Sequence, residues 1–231
     1  TTGIKLGCET DHWPVLAVRD AGSNEMLHAL NRWITHMRIS GALERISSKF
    51  KRSSNRISPY DNIIKAYAAQ LGWDWRLLAS IIYNESKFAI FARSSRGAYG
   101  LMQVIPQIAS HYGVYDLTDP ESNIKAGTMI LQKLQREWEK RNLEGDELLK
   151  FILASYNAGA GRIRDCRSLA RSRHLDDTKW SNIVKVIPLM NDDSILEDEN
   201  VRYGKFKGTE TIAYVENVMA LYDAICTICP R

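Results

Sequence analysis

From Ser58 onward, apolar side chains recur at helical spacing in one segment after another. The first segment carries Ser58 as a candidate N-cap, Pro59 at the first helical position and Asp61 three residues after the cap. Gly72 is placed to end this helix and Asp74 to cap the next one. The apolar stripe of the first helix consists of Ile63, Ile64, Tyr67, Ala68 and Leu71. Because no long alternating pattern of the strand type follows Ser58, the sequence predicts a mainly α domain.

Cap signals predict further helices along the same part of the chain. Pro106 begins one of them, and Asp119-Pro120, Asp146 and Thr209 precede three others. The apolar patterns of these three helices run from Ile124 to Trp138, from Leu148 to Asn157 and from Ile212 to Ile225. An acidic run at 191–200 lacks the spacing of a calcium loop, and we expect it to be an exposed loop.

The part before Ser58 has a different pattern. Residues 49–58 (KFKRSSNRIS) are basic, rich in serine and poor in apolar residues, which is typical of a linker. Residues 13–19 (WPVLAVR) form a strand candidate, and apolar residues at helical spacing follow it at 27–37. About fifty residues with so few elements cannot close a core. We therefore expect two parts, residues 1–57 with their linker and a helical domain over residues 58–231.

Composition narrows the classes of function. With 45% hydrophobic and 25% charged residues among 231, the chain can bury a core. The net charge of +4 comes without stripes of Lys and Arg interleaved with aromatics, so nucleic acid is not an expected partner. No apolar run approaches the length of a membrane span and no charged-then-apolar leader opens the chain, so we expect a soluble piece.

No motif in the sequence indicates a metal site or a cofactor-binding site. The five histidines show no paired spacing, and the Cys226–Cys229 pair has no second pair to complete a zinc site. Four cysteines are compatible with two disulfides or with none. We therefore expect neither a metal nor an organic cofactor.

Glu85 stands out because it falls on the apolar stripe of the second helix. It lies seven, four and three residues after Leu78, Ile81 and Ile82. A carboxyl group in poorly solvated surroundings has a raised pKa, which makes it a usable general acid near neutral pH. The alternative is a Glu in the last helical turn whose carboxylate simply reaches solvent.

Four motifs in order resemble the lysozyme-like catalytic domain of the lytic transglycosylases. They are ES at 85–86, GLMQ at 100–103 before a Pro-started helix, SYNAG at 155–159 and ETIAYV at 210–215. The third departs from the family's AYNAG by Ser for the first Ala. The resemblance covers about residues 58–226 and implies an α-helical, lysozyme-like fold.

Residues 1–57 resemble the closing strand and helices of a periplasmic solute-binding domain of the amino-acid-binding type. That order, a solute-binding domain and then a transglycosylase, is found in the family of membrane-bound lytic murein transglycosylases of type F. The resemblance implies a short α/β remnant before the catalytic domain. It also implies a periplasmic location in the bacterial cell envelope, with a longer form anchored at the outer membrane.

The resemblance implies that Glu85 is the single catalytic residue, acting first as acid and then as base. The bond would be the β-1,4 linkage between N-acetylmuramic acid and N-acetylglucosamine in peptidoglycan glycan strands. The product would carry a 1,6-anhydromuramyl end, formed without water. The substrate's own N-acetyl group would help stabilise the cationic intermediate, as in the substrate-assisted exceptions to the two-carboxylate scheme.

The same resemblance assigns substrate-binding roles to the motif neighbours of Glu85. Ser86 would orient the site, although a polar residue closing a helix is equally expected there. Met102 and Gln103 would line the sugar cleft; the alternative makes Met102 core and Gln103 surface.

The later motifs have alternatives of the same kind. Tyr156 and Asn157 would meet an N-acetyl sugar, or else anchor and cap a helix. Glu210 and Tyr214 share a helix face with Asn217, distinct from a stripe of Ile212, Val215, Met219 and Tyr222. Tyr214 would lie near Glu85, whereas Glu210 is either a polar residue of the cleft or solvent-exposed.

Two rival functions remain open from the sequence. A goose-type lysozyme would hydrolyse the same bond by admitting water. A non-catalytic module would bind peptidoglycan or sense a ligand without cleavage, but a decayed enzyme usually loses its acid first.

Overall fold

The computed structural model describes residues 56–229. The strand expected at 13–19, the helical pattern at 27–37, most of the linker at 49–58 and Cys8 lie outside these residues. The remnant of a solute-binding domain expected within 1–57 also lies outside them, and it stays a prediction.

Eight α-helices form the described part, and no β-strand occurs in residues 56–229. They are α1 (Asp61–Leu71), α2 (Trp75–Ser86), α3 (Pro106–Ser110), α4 (Pro120–Glu139), α5 (Gly145–Ala158), α6 (Ala160–Ser172), α7 (Trp180–Val186) and α8 (Gly208–Ile228). Two short 3₁₀ helices, Ile187–Asn191 and Asp193–Glu197, lie between α7 and α8. The predicted mainly α fold is confirmed.

Some of the helices begin or end at the residues that the cap signals predict, and others do not. The Asp74 and Asp119 side chains accept hydrogen bonds from the backbone N–H of Arg76 and Ser122, and Gly72 ends α1 with φ 70°. Ser58 does not cap α1, because this helix begins three residues later at Asp61. The Asp61 carboxylate instead accepts hydrogen bonds from the Ser58 backbone N–H at 2.7 Å and hydroxyl at 2.6 Å.

Other boundaries differ from the sequence-based expectation. Helices α5 and α8 begin one residue before Asp146 and Thr209, which lie inside their first turns. Residues 191–200 are mostly exposed, in agreement with the expectation, but they contain the 3₁₀ helix Asp193–Glu197 with a buried Ile195 instead of an irregular loop throughout. The sequence pattern did not predict helices α6 and α7. In α6, the buried Asp165 and Arg167 interrupt the apolar stripe.

The helix α8 packs against both α2 and α5. Its buried side chains include Thr211, Val215, Val218 and Ile225, so Val218 takes the core position that the sequence assigned to Met219. None of the helices in residues 56–229 is long and apolar enough to cross a membrane.

Helices α2 and α8 are joined by side-chain hydrogen bonds at both ends. Arg76, at the start of α2, donates from Nη1 to the backbone carbonyl of Cys229 just after α8, at 2.7 Å. Glu85, in the last turn of α2, meets Tyr214 in the second turn of α8. The two helices therefore run antiparallel, and the end of α2 that carries Glu85 faces the beginning of α8.

Candidate active site

Glu85 lies where the apolar face of α2 ends. Leu78, Ile81 and Ile82 are fully buried, whereas Glu85 itself is half-buried. The Tyr214 hydroxyl donates a hydrogen bond to Glu85 Oε1 at 2.6 Å. Burial raises the pKa of Glu85 from 4.5 to about 7, and the hydrogen bond from Tyr214 opposes this rise because it favours the carboxylate.

The two carboxyl oxygens of Glu85 have different surroundings. Oε1 accepts the hydrogen bond from Tyr214, whereas Oε2 has no hydrogen-bond partner among the described residues and is not sealed from solvent. When the group is protonated, the proton therefore belongs on Oε2. No second carboxylate in residues 56–229 contributes to the raised pKa of Glu85.

Two tyrosine hydroxyls near Glu85 stay protonated at neutral pH. Burial raises the pKa of Tyr214 and of Tyr156 well above the usual value of 10.0, and the negative charge of Glu85 raises both further. Tyr214 is hence a permanent donor to Glu85. Tyr156 donates at 2.8 Å to the backbone carbonyl of Met102.

Four hydrogen bonds join the four motifs into a closed circuit. The Ser86 hydroxyl donates to the Leu101 carbonyl at 2.9 Å, which links ES to GLMQ. The bond from Tyr156 to Met102 links GLMQ to SYNAG. The Thr211 hydroxyl donates to Asn157 Oδ1 at 2.8 Å, and the bond from Tyr214 to Glu85 completes the circuit.

The GLMQ loop is buried except at Gln103. The Met102 side chain is fully buried and packs against Gly127, where a Cβ would lie 2.3 Å from the Met102 sulfur. Gln103 is half-buried with φ 48°, and its Nε2 donates to the carbonyls of Ala92 at 3.2 Å and Gly100 at 2.9 Å. The Gln103 amide nitrogen therefore holds the loop, and of these two side chains only that of Gln103 reaches the surface.

The remaining candidates lie at the surface. Asn157 is exposed and meets α8 through Thr211. Glu210 is exposed, and its side chain forms no hydrogen bond or ion pair with the described residues. The structure thus brings Ser86, Tyr156, Asn157 and Tyr214 into one network with Glu85, and it leaves Glu210 outside that network.

Asn123 is a residue of the site that the sequence did not indicate. This fully buried side chain accepts from the Met102 backbone N–H at 2.9 Å and donates to the carbonyls of Tyr99 and Leu117 at 3.0 Å each. It also explains Gly100, which has φ 78° and where a Cβ would lie 2.0 Å from the Asn123 side-chain nitrogen. The one available signal was an Asn just before the apolar stripe of α4, which does not distinguish a buried role from an exposed one.

Metal ligands are not grouped in the described part of the chain. Residues 56–229 contain no cluster of three or more His, Cys, Asp or Glu side chains placed to hold a metal ion. Cys166 is fully buried, and burial raises the pKa of its thiol to about 12, so it does not supply a reactive thiolate.

Comparisons with known proteins agree with the motifs. The transglycosylase SLT domain family matches residues 62–179. A membrane-bound lytic murein transglycosylase F from Desulfosudis oleivorans is 30% identical over 220 residues, which are 88% of this chain and 48% of the relative. Another of the same name, from Shewanella denitrificans, is 32% identical over 177 residues, which are 76% of this chain and 35% of the relative.

A solved structure has a related fold. The lytic transglycosylase Slt from Pseudomonas aeruginosa, studied as an inactive mutant with glutamine in place of a glutamate, superposes with a TM-score of 0.53 at 25% identity. The match covers 73% of this chain and 24% of that chain. The chain spans about half the length of the first curated relatives that it matches.

The match to the family includes three of the four motifs, since ETIAYV lies beyond residue 179. It covers just over half of the chain, and the family resemblance predicted from the motifs is confirmed. This chain belongs to the transglycosylase SLT domain family.

Proposed function

We propose that the chain is a peptidoglycan lytic transglycosylase in which Glu85 is the only catalytic carboxyl group. The observation that carries this proposal is a half-buried Glu85 with a pKa of about 7 and an accessible Oε2. A group with this pKa is present in both protonation states at neutral pH. One residue can therefore serve as acid and then as base.

In the first step, Glu85 acts as the general acid. Its Oε2 proton passes to the glycosidic oxygen between N-acetylmuramic acid and N-acetylglucosamine as the bond from that oxygen to the anomeric carbon breaks. Glu85 becomes a carboxylate, and the hydrogen bond from Tyr214 to Oε1 stabilises its negative charge. The N-acetyl group of the muramyl sugar stabilises the positive charge at the anomeric carbon.

In the second step, the Glu85 carboxylate acts as the general base. It takes the proton from the muramyl 6-hydroxyl while that oxygen bonds to the anomeric carbon. The product has a 1,6-anhydromuramyl end, Glu85 is protonated again, and no water is consumed. This reaction requires no second carboxylate to activate a water, and no other carboxylate in residues 56–229 contributes to the raised pKa of Glu85.

The neighbouring residues receive roles that follow from their contacts. Tyr214 positions Glu85, and Ser86 positions the GLMQ loop through the Leu101 carbonyl. Tyr156 holds the same loop from α5. The exposed amide of Asn157 is available to an N-acetyl sugar.

The remaining candidates complete the proposed cleft. Met102 supports the loop from the core, because the whole residue is buried and its backbone N–H and carbonyl are bonded to Asn123 and Tyr156. Gln103 can offer its side-chain oxygen to the sugar, and the exposed Glu210 is assigned to the polar surface of the cleft as part of this proposal.

The relatives support the activity and the place where it acts. Two of them are named membrane-bound lytic murein transglycosylase F, and the solved Slt is inactive after a single glutamate-to-glutamine change. We place this chain in the periplasm of the cell envelope, acting on glycan strands. Outer-membrane anchoring and a solute-binding part before the catalytic domain belong to the same proposal.

Digestion of purified peptidoglycan tests the function directly. Mass spectrometry of the released muropeptides should find muramyl ends lighter by one water than hydrolytic ends. Ends of hydrolytic mass would instead identify a goose-type lysozyme. Binding of sacculi without soluble fragments would identify a non-catalytic module.

The variant Glu85→Gln tests the role of this residue in the same digestion. This variant should still bind sacculi, but its rate of release should fall at least about 100-fold, since proton transfer from a positioned group contributes at least this much. The circular dichroism spectrum should stay unchanged. Lysis at the normal rate would remove Glu85 from the mechanism.

A further inference from the structure

A cavity lies beside α6 and is lined by none of the candidate active-site residues. Its volume is about 290 Å³, and Tyr203 and Asn200 form part of its wall. Five arginines line it: Arg141, Arg164, Arg167, Arg171 and Arg202. Arginine presents a planar fork of donors that matches carboxylate and phosphate oxygens.

Arg167 is a buried guanidinium group with unused donors. Its side chain is only 8% exposed, and its Nε donates to Asp177 at 2.6 Å. Its guanidinium carbon lies 5.5 Å from the ring centre of Trp138 and 5.7 Å from that of Phe151. Nη1 and Nη2 donate to none of the described residues, yet neither is sealed from solvent. Arg167 lines the cavity, and these two groups are its unused hydrogen-bond donors.

The neighbouring arginines are held in position by other side chains. Arg164 donates from Nη1 to Glu137 at 2.6 Å and from Nη2 to the Tyr203 hydroxyl at 2.9 Å. Arg171 donates to the same Asp177 oxygen as Arg167, at 2.6 Å. Guanidinium groups that are fixed before binding lose little conformational entropy when a ligand arrives.

Acidic side chains compensate part of the positive charge, because Glu137 pairs with Arg141 and Arg164, and Asp177 pairs with Arg167 and Arg171. Asp165 is buried and accepts from the backbone N–H of Arg202 at 3.0 Å and of Tyr203 at 2.7 Å, so it holds the loop over the cavity. Glu199 lies exposed in the cavity wall without a hydrogen bond or ion pair to the described residues. The exposed Arg202 side chain likewise has no polar partner among them.

A larger neighbouring cavity extends the positive charge. Its volume is about 650 Å³, and Arg141 lines both cavities. Its other charged residues are Lys133, Arg136, Glu137 and Lys140. A cleft dominated by one sign of charge attracts ligands of the opposite sign.

We propose that the arginine-lined cavity binds a carboxylate group carried by the peptide stems of peptidoglycan. The carboxylate accepts hydrogen bonds from Arg167 Nη1 and Nη2, and Arg202 adds attraction at the rim. The choice of peptide stems as the source rests on the proposed function, because stems are the part of that substrate that bears carboxylates. The site would hold a glycan strand by its side branches, through residues outside the candidate active site.

Isothermal titration calorimetry on the whole chain, with a synthetic tetrapeptide stem at low salt, tests this site. The same peptide with every carboxyl group amidated should not bind. Arg202→Gln should weaken binding about tenfold, the effect expected from losing one charge-assisted contact. Glu199→Gln should strengthen it, because a negative charge leaves the cavity wall. Arg173→Gln, an exposed arginine after α6 that does not line the cavity, should change nothing.

The outcomes separate the site from its ligand and from the enzyme activity. Equal binding of the amidated peptide, or equal effects of Arg202→Gln and Arg173→Gln, would overturn the proposal. Binding of inorganic phosphate without binding of the peptide would overturn the assignment to stems. The peptide contains no glycosidic bond, so its binding is independent of cleavage, and the muropeptide digest can fail or succeed separately.

Discussion

At the residue scale, the properties of Glu85 depend on two opposing contributions. Burial favours the protonated acid, and the hydroxyl of Tyr214 favours the carboxylate through its 2.6 Å hydrogen bond. Burial is the larger of the two, so the pKa stays near 7. Changing either contribution should change the pKa of Glu85 and therefore the pH at which it loses its proton.

Tyr214→Phe removes the hydrogen bond that favours the carboxylate. The pKa of Glu85 should therefore rise above about 7, and the alkaline midpoint of the kcat/KM profile should move upward by about one pH unit. Tyr67→Phe is the matched control, because the Tyr67 hydroxyl donates to the exposed Glu121, outside the network of Glu85. An alkaline midpoint equal to that of the unmodified protein would show that Tyr214 does not tune this acid.

Glu85→Gln should also change the dependence of stability on pH. The folded-state pKa is raised, so the native state holds the proton more tightly than the unfolded chain, and stability is lost as pH rises from 4.5 to about 7. Glutamine does not ionise, so the variant escapes this loss. The free energy of unfolding of the variant should equal that of the unmodified protein at about pH 4 and exceed it by about 1–3 kcal/mol above about pH 7. Because Glu85 is half-buried, its partial hydration lowers this difference.

Thermal unfolding at several pH values measures this difference. Glu210→Gln removes an exposed carboxyl group, and its unfolding temperature should follow that of the unmodified protein at every pH. A constant difference between Glu85→Gln and the unmodified protein across the pH range would contradict the raised pKa.

At the element scale, the loop between α2 and α3 is held by a side chain from α4. Asn123 makes three hydrogen bonds to backbone groups of the segments around this loop. The cap residues Asp74 and Asp119 made the starts of α2 and α4 predictable, because a cap is a local interaction. The contact of Asn123 with Met102 joins residues 21 positions apart, and no local pattern encodes it.

Asn123→Ala should destabilise the fold by about 2–4 kcal/mol, because it leaves the buried Met102 N–H without an acceptor. Urea denaturation measures the loss. Lytic activity should fall as well, since the GLMQ loop loses its anchor. Asn217→Ala, at an exposed position of α8, should stay within about 0.5 kcal/mol of the unmodified protein. Equal urea midpoints for the two variants would argue against the anchoring role.

At the scale of the whole molecule, the antiparallel pair of α2 and α8 unites distant parts of the chain. Arg76 joins Asp74 through Nε at 2.9 Å and the Cys229 carbonyl through Nη1 at 2.7 Å. The side chains of Arg76 and Asp74 are 6% and 9% exposed, so the ion pair is shielded from water. At the opposite end of the same pair, Tyr214 meets Glu85.

Arg76→Ala should cost about 3–5 kcal/mol of stability, because it removes the positive charge that compensates the Asp74 carboxylate where both side chains are shielded from water. The double variant Arg76→Ala with Asp74→Asn should recover part of this loss, as chemical denaturation of the set would show. Arg96→Ala, at an exposed position, is the matched control and should be near neutral. A loss no larger than that of the control would mean that the pair does not stabilise this helix packing.

The sequence by itself determined most of the helices and the position of Glu85 on an apolar face. Both depend on interactions within a few residues, through caps and the period of 3.6. It did not determine α6, where buried Arg167 and Asp165 interrupt the apolar pattern and find their partners only in the folded chain. The tertiary structure alone decided the pKa of Glu85, because its burial and its bond to Tyr214, 129 residues away, exist only after α2 and α8 have packed together.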